Sequence, residues 1–286
     1  MNYLLLFTSV SLDTLKNTYY NYFGKNMMQG HCDTLRFNAI NCVGAVIYFL
    51  CRGANFHISA YSIVMALIFS GVTVAAQYFQ LLSMALGSMA YSTLFTYLSV
   101  LISALFSVFY YAQPVSTLQI FGFILMLISF FLSCDLRDRS NINLKWLAAA
   151  LGSFLSWGLV GVCQQLHQNS VYASELRGFL LWTFLFSGIL FGLLFLFSKR
   201  EADQAASQGP LSLILMVLTG AAIGVVNEIN LYLSGAMPGI IFFPIVNGGV
   251  IILTTLAAVF FFREKLPKTQ LIGLIAGMIA VLCLGM

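Results

Sequence analysis

The chain has 286 residues, of which 60% are hydrophobic and 8% charged, with a mean hydropathy of +0.93 and a formal net charge of +4. A soluble domain carries about a quarter charged residues, so this chain cannot cover a water-facing surface and leaves no length for a soluble catalytic domain. The small positive excess suits loops lying against anionic lipid and gives no reason to expect nucleic-acid binding.

Apolar runs recur at about the 20 residues a spanning helix needs. They predict ten spans, at 3–21, 35–51, 59–83, 88–112, 115–134, 144–168, 176–198, 211–234, 238–262 and 266–286. Met1–Leu6 lacks the basic region of a signal peptide, so the first span is expected to stay in the mature protein. That span carries Ser9, Asp13, Lys16, Asn17 and Tyr20 along one face. A charge at mid-span costs at least about 2.5–3.5 kcal/mol on insertion scales and therefore faces protein or a water-filled cavity. Alternatively Asp13 and Lys16, three apart, neutralise one another. The two readings are compatible, because a substrate or proton competing for Asp13 would release Lys16.

Span 3 places Ser70, Thr73, Gln77 and Gln80 on one stripe, and span 4 carries Ser92, Thr96, Ser99, Ser103 and Ser107 on one side. Small hydroxyl residues let helices approach closely, and Thr96 is the one most expected to line a cavity. Span 6 presents Ser153, Trp157, Gln164, His167 and Gln168. Trp157 is either a flat wall for a cationic or planar substrate or an interfacial tryptophan. His167 is either a cationisable cavity group or a satisfied polar residue. Span 8 carries Gly220, Gly224, Asn227, Asn230 and Ser234, with Glu228 at the edge of the stripe. Glu228 reads as a titratable coupling acid or as a carboxylate bonded between helices near the membrane surface. Span 9 holds the interior Pro244, followed by Asn247, Gly248 and Gly249, which suits a hinge or a binding site. The other prolines, Pro114, Pro210, Pro238 and Pro267, fall at span ends, where a missing N–H costs little. The cysteines (32, 42, 51, 134, 163, 283) show no metal-ligand or CxxC spacing, so no metal, cofactor or disulfide is expected.

The end of the chain repeats its middle. Val259-Phe260-Phe261-Phe262-Arg263-Glu264-Lys265-Leu266-Pro267-Lys268-Thr269-Gln270-Leu271-Ile272-Gly273 aligns with Val108-Phe109-Tyr110-Tyr111-Ala112-Gln113-Pro114-Val115-Ser116-Thr117-Leu118-Gln119-Ile120-Phe121-Gly122. The chain reads as a duplication: a five-helix repeat over 1–134, a link at 135–143 and a second repeat over 144–286. An odd number of spans per repeat makes the repeats inverted about an axis in the membrane plane. The alignment pairs Gln77 with Glu228, Thr96 with Asn247 and Lys16 with His167.

The hairpin FFFREKLPKTQLIGLIAG, its relic FYYAQPVSTLQIFGFILM, and Pro238–Gly249 resemble segments of the drug/metabolite transporter superfamily, EamA type. Glu264, Gly273 and Gly122 match the family pattern, and Gln113 stands where the first half would carry its Glu. Glu264 is expected to accept N–H groups at the start of the last helix. The resemblance, which for span 9 is to bacterial members, implies an all-α, ten-helix plasma-membrane transporter with cytoplasmic termini. The distribution of Lys and Arg over the connections instead puts both termini outside.

Expected function is alternating-access transport of a small polar or amphipathic metabolite, amino-acid-like or cationic, with proton or cation coupling through Asp13 and Glu228. Lys16, Asn17, Gln77, Gln80, Thr96, Trp157, Gln164, His167, Asn227, Asn230 and Asn247 are the candidate cavity walls, and Pro244, Gly248 and Gly249 the hinge. An uncoupled exchanger is the rival within transport. Outside transport, the rivals are a membrane scaffold or an intramembrane enzyme, but no HExxH, paired acids or Ser/His arrangement lies within the spans. The partners expected are a small-molecule substrate, a proton or cation and the lipid bilayer, with the protein a monomer or homodimer.

Overall fold

A computed structural model describes residues 2–27, 31–86, 89–133, 144–198, 210–262 and 268–286. Every regular element among them is helical: α1 (Asn2–Met27), α2 (His31–Cys51), α3 (Ala60–Leu86), α4 (Met89–Leu98), α5 (Val100–Tyr110), α6 (Thr117–Ser133), α7 (Leu144–Gln168), a 3-10 turn at Ala173–Glu175, α8 (Leu176–Phe197), α9 (Pro210–Ala236), α10 (Gly239–Phe262) and α11 (Lys268–Gly285). Six described helical segments are long and apolar enough to cross a membrane, at Cys32–Cys51, Ala60–Leu86, Ser92–Tyr110, Leu144–Gln168, Ala173–Phe197 and Ser212–Ala236. Shorter apolar helices lie at Thr117–Leu132, Gly239–Leu253 and Lys268–Leu284. Helix α1 is the least apolar of the long helices, and besides Asp13 and Lys16 its sequence includes Asn17, Asn21, Lys25 and Asn26.

The fourth predicted span is two helical segments. Ser99 keeps helical angles (φ −56°, ψ −22°), but its N–H goes to Thr96 O at 3.3 Å and Ile102 N–H goes to Ser99 O at 3.0 Å. The Ser99 hydroxyl donates to the same Thr96 carbonyl at 2.6 Å. A serine competing for a backbone acceptor tightens the turn into 3-10 spacing and interrupts the α-helix.

The chain forms two compact units: Met1–Leu6, Ala75–Leu166 and Leu233–Met286 in one, Phe7–Val74 and His167–Tyr232 in the other. Each draws on both sequence halves. In the first unit, α6 and α11, the last helices of the two halves, pack side by side. A Cβ on Gly122 would lie 2.9 Å from Cys283 Cβ and 3.1 Å from Ala280 O, so only glycine allows this approach. The Ser129 hydroxyl closes the seam by donating to Gly273 O at 2.6 Å. The Gly273–Gly277 pattern is thus occupied by a helix of the same chain.

The corner after α5 turns through Ala112, whose φ of 48° puts an L-residue in the left-handed region. That turn delivers Gln113 to the start of α10, where its Oε1 accepts Gly239 N–H at 3.0 Å. Ser107 Oγ accepts the same N–H at 3.0 Å and donates to Gln113 Oε1. Helix α10 is therefore capped by the first half's corner, satisfying an N–H its own helix leaves free. Glu264, the matching residue of the second corner, lies outside the described residues.

In the second unit α2 packs along α8. Its contact with α9 is closer still. A Cβ on Gly44 would overlap the Val217 carbonyl, and one on Gly220 the Asn41 carbonyl, so the helices meet backbone to backbone. Gly224 continues the stripe beneath Tyr48, and Glu228 ends it one turn later.

Candidate binding site

The first unit gathers uncharged hydrogen-bonding side chains. Trp157 Nε1, on α7, donates to Gln80 Oε1, on α3, at 3.0 Å, leaving the indole half-buried and tethered across two helices. One turn before Trp157, Ser153 Oγ lies 3.1 Å from Thr96 Oγ1 at the interrupted end of α4. Thr96 also donates to Ser92 O at 3.2 Å. Gln77, one turn before Gln80, is partly exposed, and Gln164 is buried. On α10, Pro244 supplies no N–H to the carbonyl four residues back. Asn247 Nδ2 donates at 2.9 Å to Phe243 O, beside that gap. Gly248 lies against Met126, whose side chain fills the space a Cβ would need. Gly249 is partly exposed on the same helix. These groups can bind through amide, hydroxyl and indole dipoles but supply no counter-charge.

The charged candidates belong to the second unit. Asp13 and Lys16 form an ion pair on successive turns of α1, with side chains 18% and 22% exposed. That degree of exposure leaves the pair reachable while removing most of its hydration. One turn before Asp13, Ser9 donates to Asn230 Oδ1 at 2.5 Å, which ties α1 to α9. Asn227, one turn earlier on α9, donates back to Ile223 O at 2.9 Å and is partly exposed. Only the backbone of Asn17 is described.

Glu228 and His167 are held differently from the other candidates. Glu228 Oε2 accepts the Tyr48 hydroxyl at 2.6 Å, and Oε1 accepts Arg177 Nε at 2.7 Å. Arg52 Nη2 stands 3.8 Å from Oε1. Two guanidinium groups and a phenol thus enclose one carboxylate. Of the two sequence readings, this arrangement fits the interhelical bond. His167 is fully buried, its ring stacked on Phe179 at 3.9 Å between centroids. Its Nε2 lies 3.3 Å from Ser62 Oγ and its Nδ1 3.1 Å from Gln168 Nε2. Both nitrogens are committed to neighbours, the environment of a satisfied core histidine.

Sequence reasoning missed Tyr48, Arg52 and Arg177 as partners of Glu228. A signal was present, since the two arginines are the only Lys or Arg in the connections predicted on their side of the membrane and Glu228 lies about two turns from the end of its span.

Helices of spanning length carrying polar side chains partly sheltered inside apolar elements define an integral, multi-pass membrane protein. The chain belongs to the EamA-like transporter family, whose model matches residues 18–134 and 144–286. A protein known from a crystal structure is 14% identical and superposes with a TM-score of 0.77, over 98% of this chain and 94% of that one. At that identity the likeness shows the fold alone. A comparison with curated proteins gives no match.

Proposed function

We propose that this membrane transporter works by alternating access, as ten spans in two inverted five-helix repeats, in a bacterial plasma membrane. The matching of the family to two successive stretches of the chain supports the repeat reading. Its substrate is a small, polar metabolite of no net charge, with zwitterions bearing an ammonium and a carboxylate the best fit.

The observation that carries this reading is the Asp13–Lys16 pair at mid-helix on α1, one turn from the Ser9–Asn230 bond. A zwitterion can exchange partners with such a pair, ammonium to Asp13 and carboxylate to Lys16, leaving every charge matched. A net-charged solute would leave one charge unpaired in a poorly hydrated place, which costs several kcal/mol. Asn227 and Asn230, on α9 of the same unit, supply uncharged contacts for the rest of the solute. Asp13 is the coupling acid: a proton on it breaks the pair and frees Lys16. Glu228, already enclosed by two arginines, is assigned to structure.

A thermal-shift screen of zwitterionic, cationic and anionic metabolites on the purified protein tests the class. Zwitterions should dominate the stabilising compounds, and a set dominated by net cations or anions would overturn it. The strongest compound is then followed into proteoliposomes with and without a pH gradient. Wild type should be accelerated by the gradient, whereas Asp13→Asn, which removes the ammonium partner and the proton site together, should lose both stabilisation by the compound and the acceleration. The second reading, an uncoupled exchanger, is favoured by Asp13 being already neutralised by Lys16, and it predicts no response to the gradient in either protein.

A further inference from the structure

Helices α2 and α8 run antiparallel, and between them, on the surface of the second unit, lies a groove of about 400 Å³. Its walls include Val43, Ile47, Phe184, Leu185, Gly188 and Ile189 and are almost wholly apolar. Val43 is 53% exposed and Ile189 58% exposed, so they form its open lips. Gly188 supplies the concavity, because it leaves the Cys42 side chain as the facing surface. A flat helix face would offer lipid no such furrow.

The charge at one end of the furrow identifies what fills it. Followed toward the C-terminus of α2 and the N-terminus of α8, the groove leads to Arg52 and Arg177, whose side chains are 50% and 47% exposed. Arg177 gives its Nε to Glu228, and Arg52 stands back at 3.8 Å, so each guanidinium keeps donors for an outside partner. The other nearby carboxylate, Glu175, is turned to Ser59, accepting its N–H at 3.1 Å and its hydroxyl at 2.7 Å. From Val43 to Arg52, and from Gly188 to Arg177, is about 14–17 Å along a helix at 1.5 Å per residue. That is half of the roughly 30 Å hydrocarbon core. With the arginines at headgroup level, the groove lies beside the inner part of an acyl chain. The stacked Tyr61–Tyr172 pair (5.3 Å) and Trp182, whose Nε1 donates to Phe56 O, mark the same end as an interface.

We propose that this surface is a binding site for one anionic phospholipid, its acyl chain in the α2–α8 groove and its phosphate on Arg52 and Arg177. The site shares no residue with the proposed solute-binding pair and bears on Glu228, because a phosphate on Arg177 competes with the carboxylate that ties α9 to α8. The lipid therefore tunes how firmly that end of the unit is closed.

Native mass spectrometry of the full-length, delipidated protein titrated with phosphatidylglycerol or phosphatidylcholine of identical chains tests this. The first phosphatidylglycerol should bind at least tenfold more tightly than phosphatidylcholine. Arg52→Gln, which leaves the Arg177–Glu228 bond in place, should weaken it about fivefold, as expected for one basic residue near a membrane surface. Val43→Trp, at an exposed lip, should fill the furrow and weaken both lipids, with folding checked by an unchanged melting temperature. Equal affinity for the two lipids, or phosphatidylglycerol binding untouched by both variants, would overturn the proposal. So would a dimer mass that Val43→Trp abolishes, since a second copy would then occupy the groove.

Discussion

Replacing Glu228 with Gln separates a structural clamp from a proton carrier. The carboxylate accepts Tyr48 Oη–H at 2.6 Å and Arg177 Nε–H at 2.7 Å. A hydrogen bond to a charged group contributes about 1.5–3 kcal/mol. The Arg177 side chain is 47% exposed, so its share is discounted to roughly 1 kcal/mol, in line with solvent-screened pairs. Tyr48 contributes about 1.5–2 kcal/mol. Gln can keep one weaker bond, so the substitution should cost about 2 kcal/mol, a fall in melting temperature of roughly 3–4 °C for a chain of this size. Thermal unfolding of the purified protein in one detergent measures it. A double-mutant cycle with Tyr48→Phe should return a coupling of about 1 kcal/mol. A melting temperature unchanged within a degree, with no coupling to Tyr48, would refute the clamp and return Glu228 to the list of titrating carriers.

Gly220→Ala puts a methyl group onto the Asn41 carbonyl, a backbone atom that cannot rotate away, and should destabilise the protein by about 3 kcal/mol or prevent its accumulation in membranes. Gly71, whose Cβ would meet nothing, is the control: Gly71→Ala should be neutral or slightly stabilising by the same assay. Gln113→Ala leaves Ser107 alone to cap α10 and should cost about 0.5–1 kcal/mol, seen as faster amide exchange at the start of α10. Trp157→Phe keeps the aromatic wall but loses the bond to Gln80, and thermal unfolding should show a loss of stability of about 1 kcal/mol or less.

How far the sequence could be read depended on whether a feature is set by one helix or by several. Apolar run length places the spans, and the described helices fall where it does: Leu144–Gln168 coincides with a predicted span, and Cys51 ends both a helix and a prediction. Spacing on a single helix likewise anticipated that Asp13 and Lys16 can meet, because residues three apart are neighbours without help from elsewhere. The partners of Glu228 were not legible in the same way. Tyr48 lies 180 positions away, and nothing in either segment's periodicity joins them. The interruption at Ser99 was also hidden, since its serine stripe is the same pattern that close helix packing produces. Gln113 looked like a decayed copy of an acidic residue, and only its position beside Gly239 shows an amide holding a helix start.

The α6–α11 seam carries a further consequence. Gly122 fits only against Cys283 and Ala280, and Ser129 reaches Gly273, so the two closing helices of the halves recognise one another rather than lipid. A gene split in the link between them should therefore still yield fragments that find each other when made in the same cell.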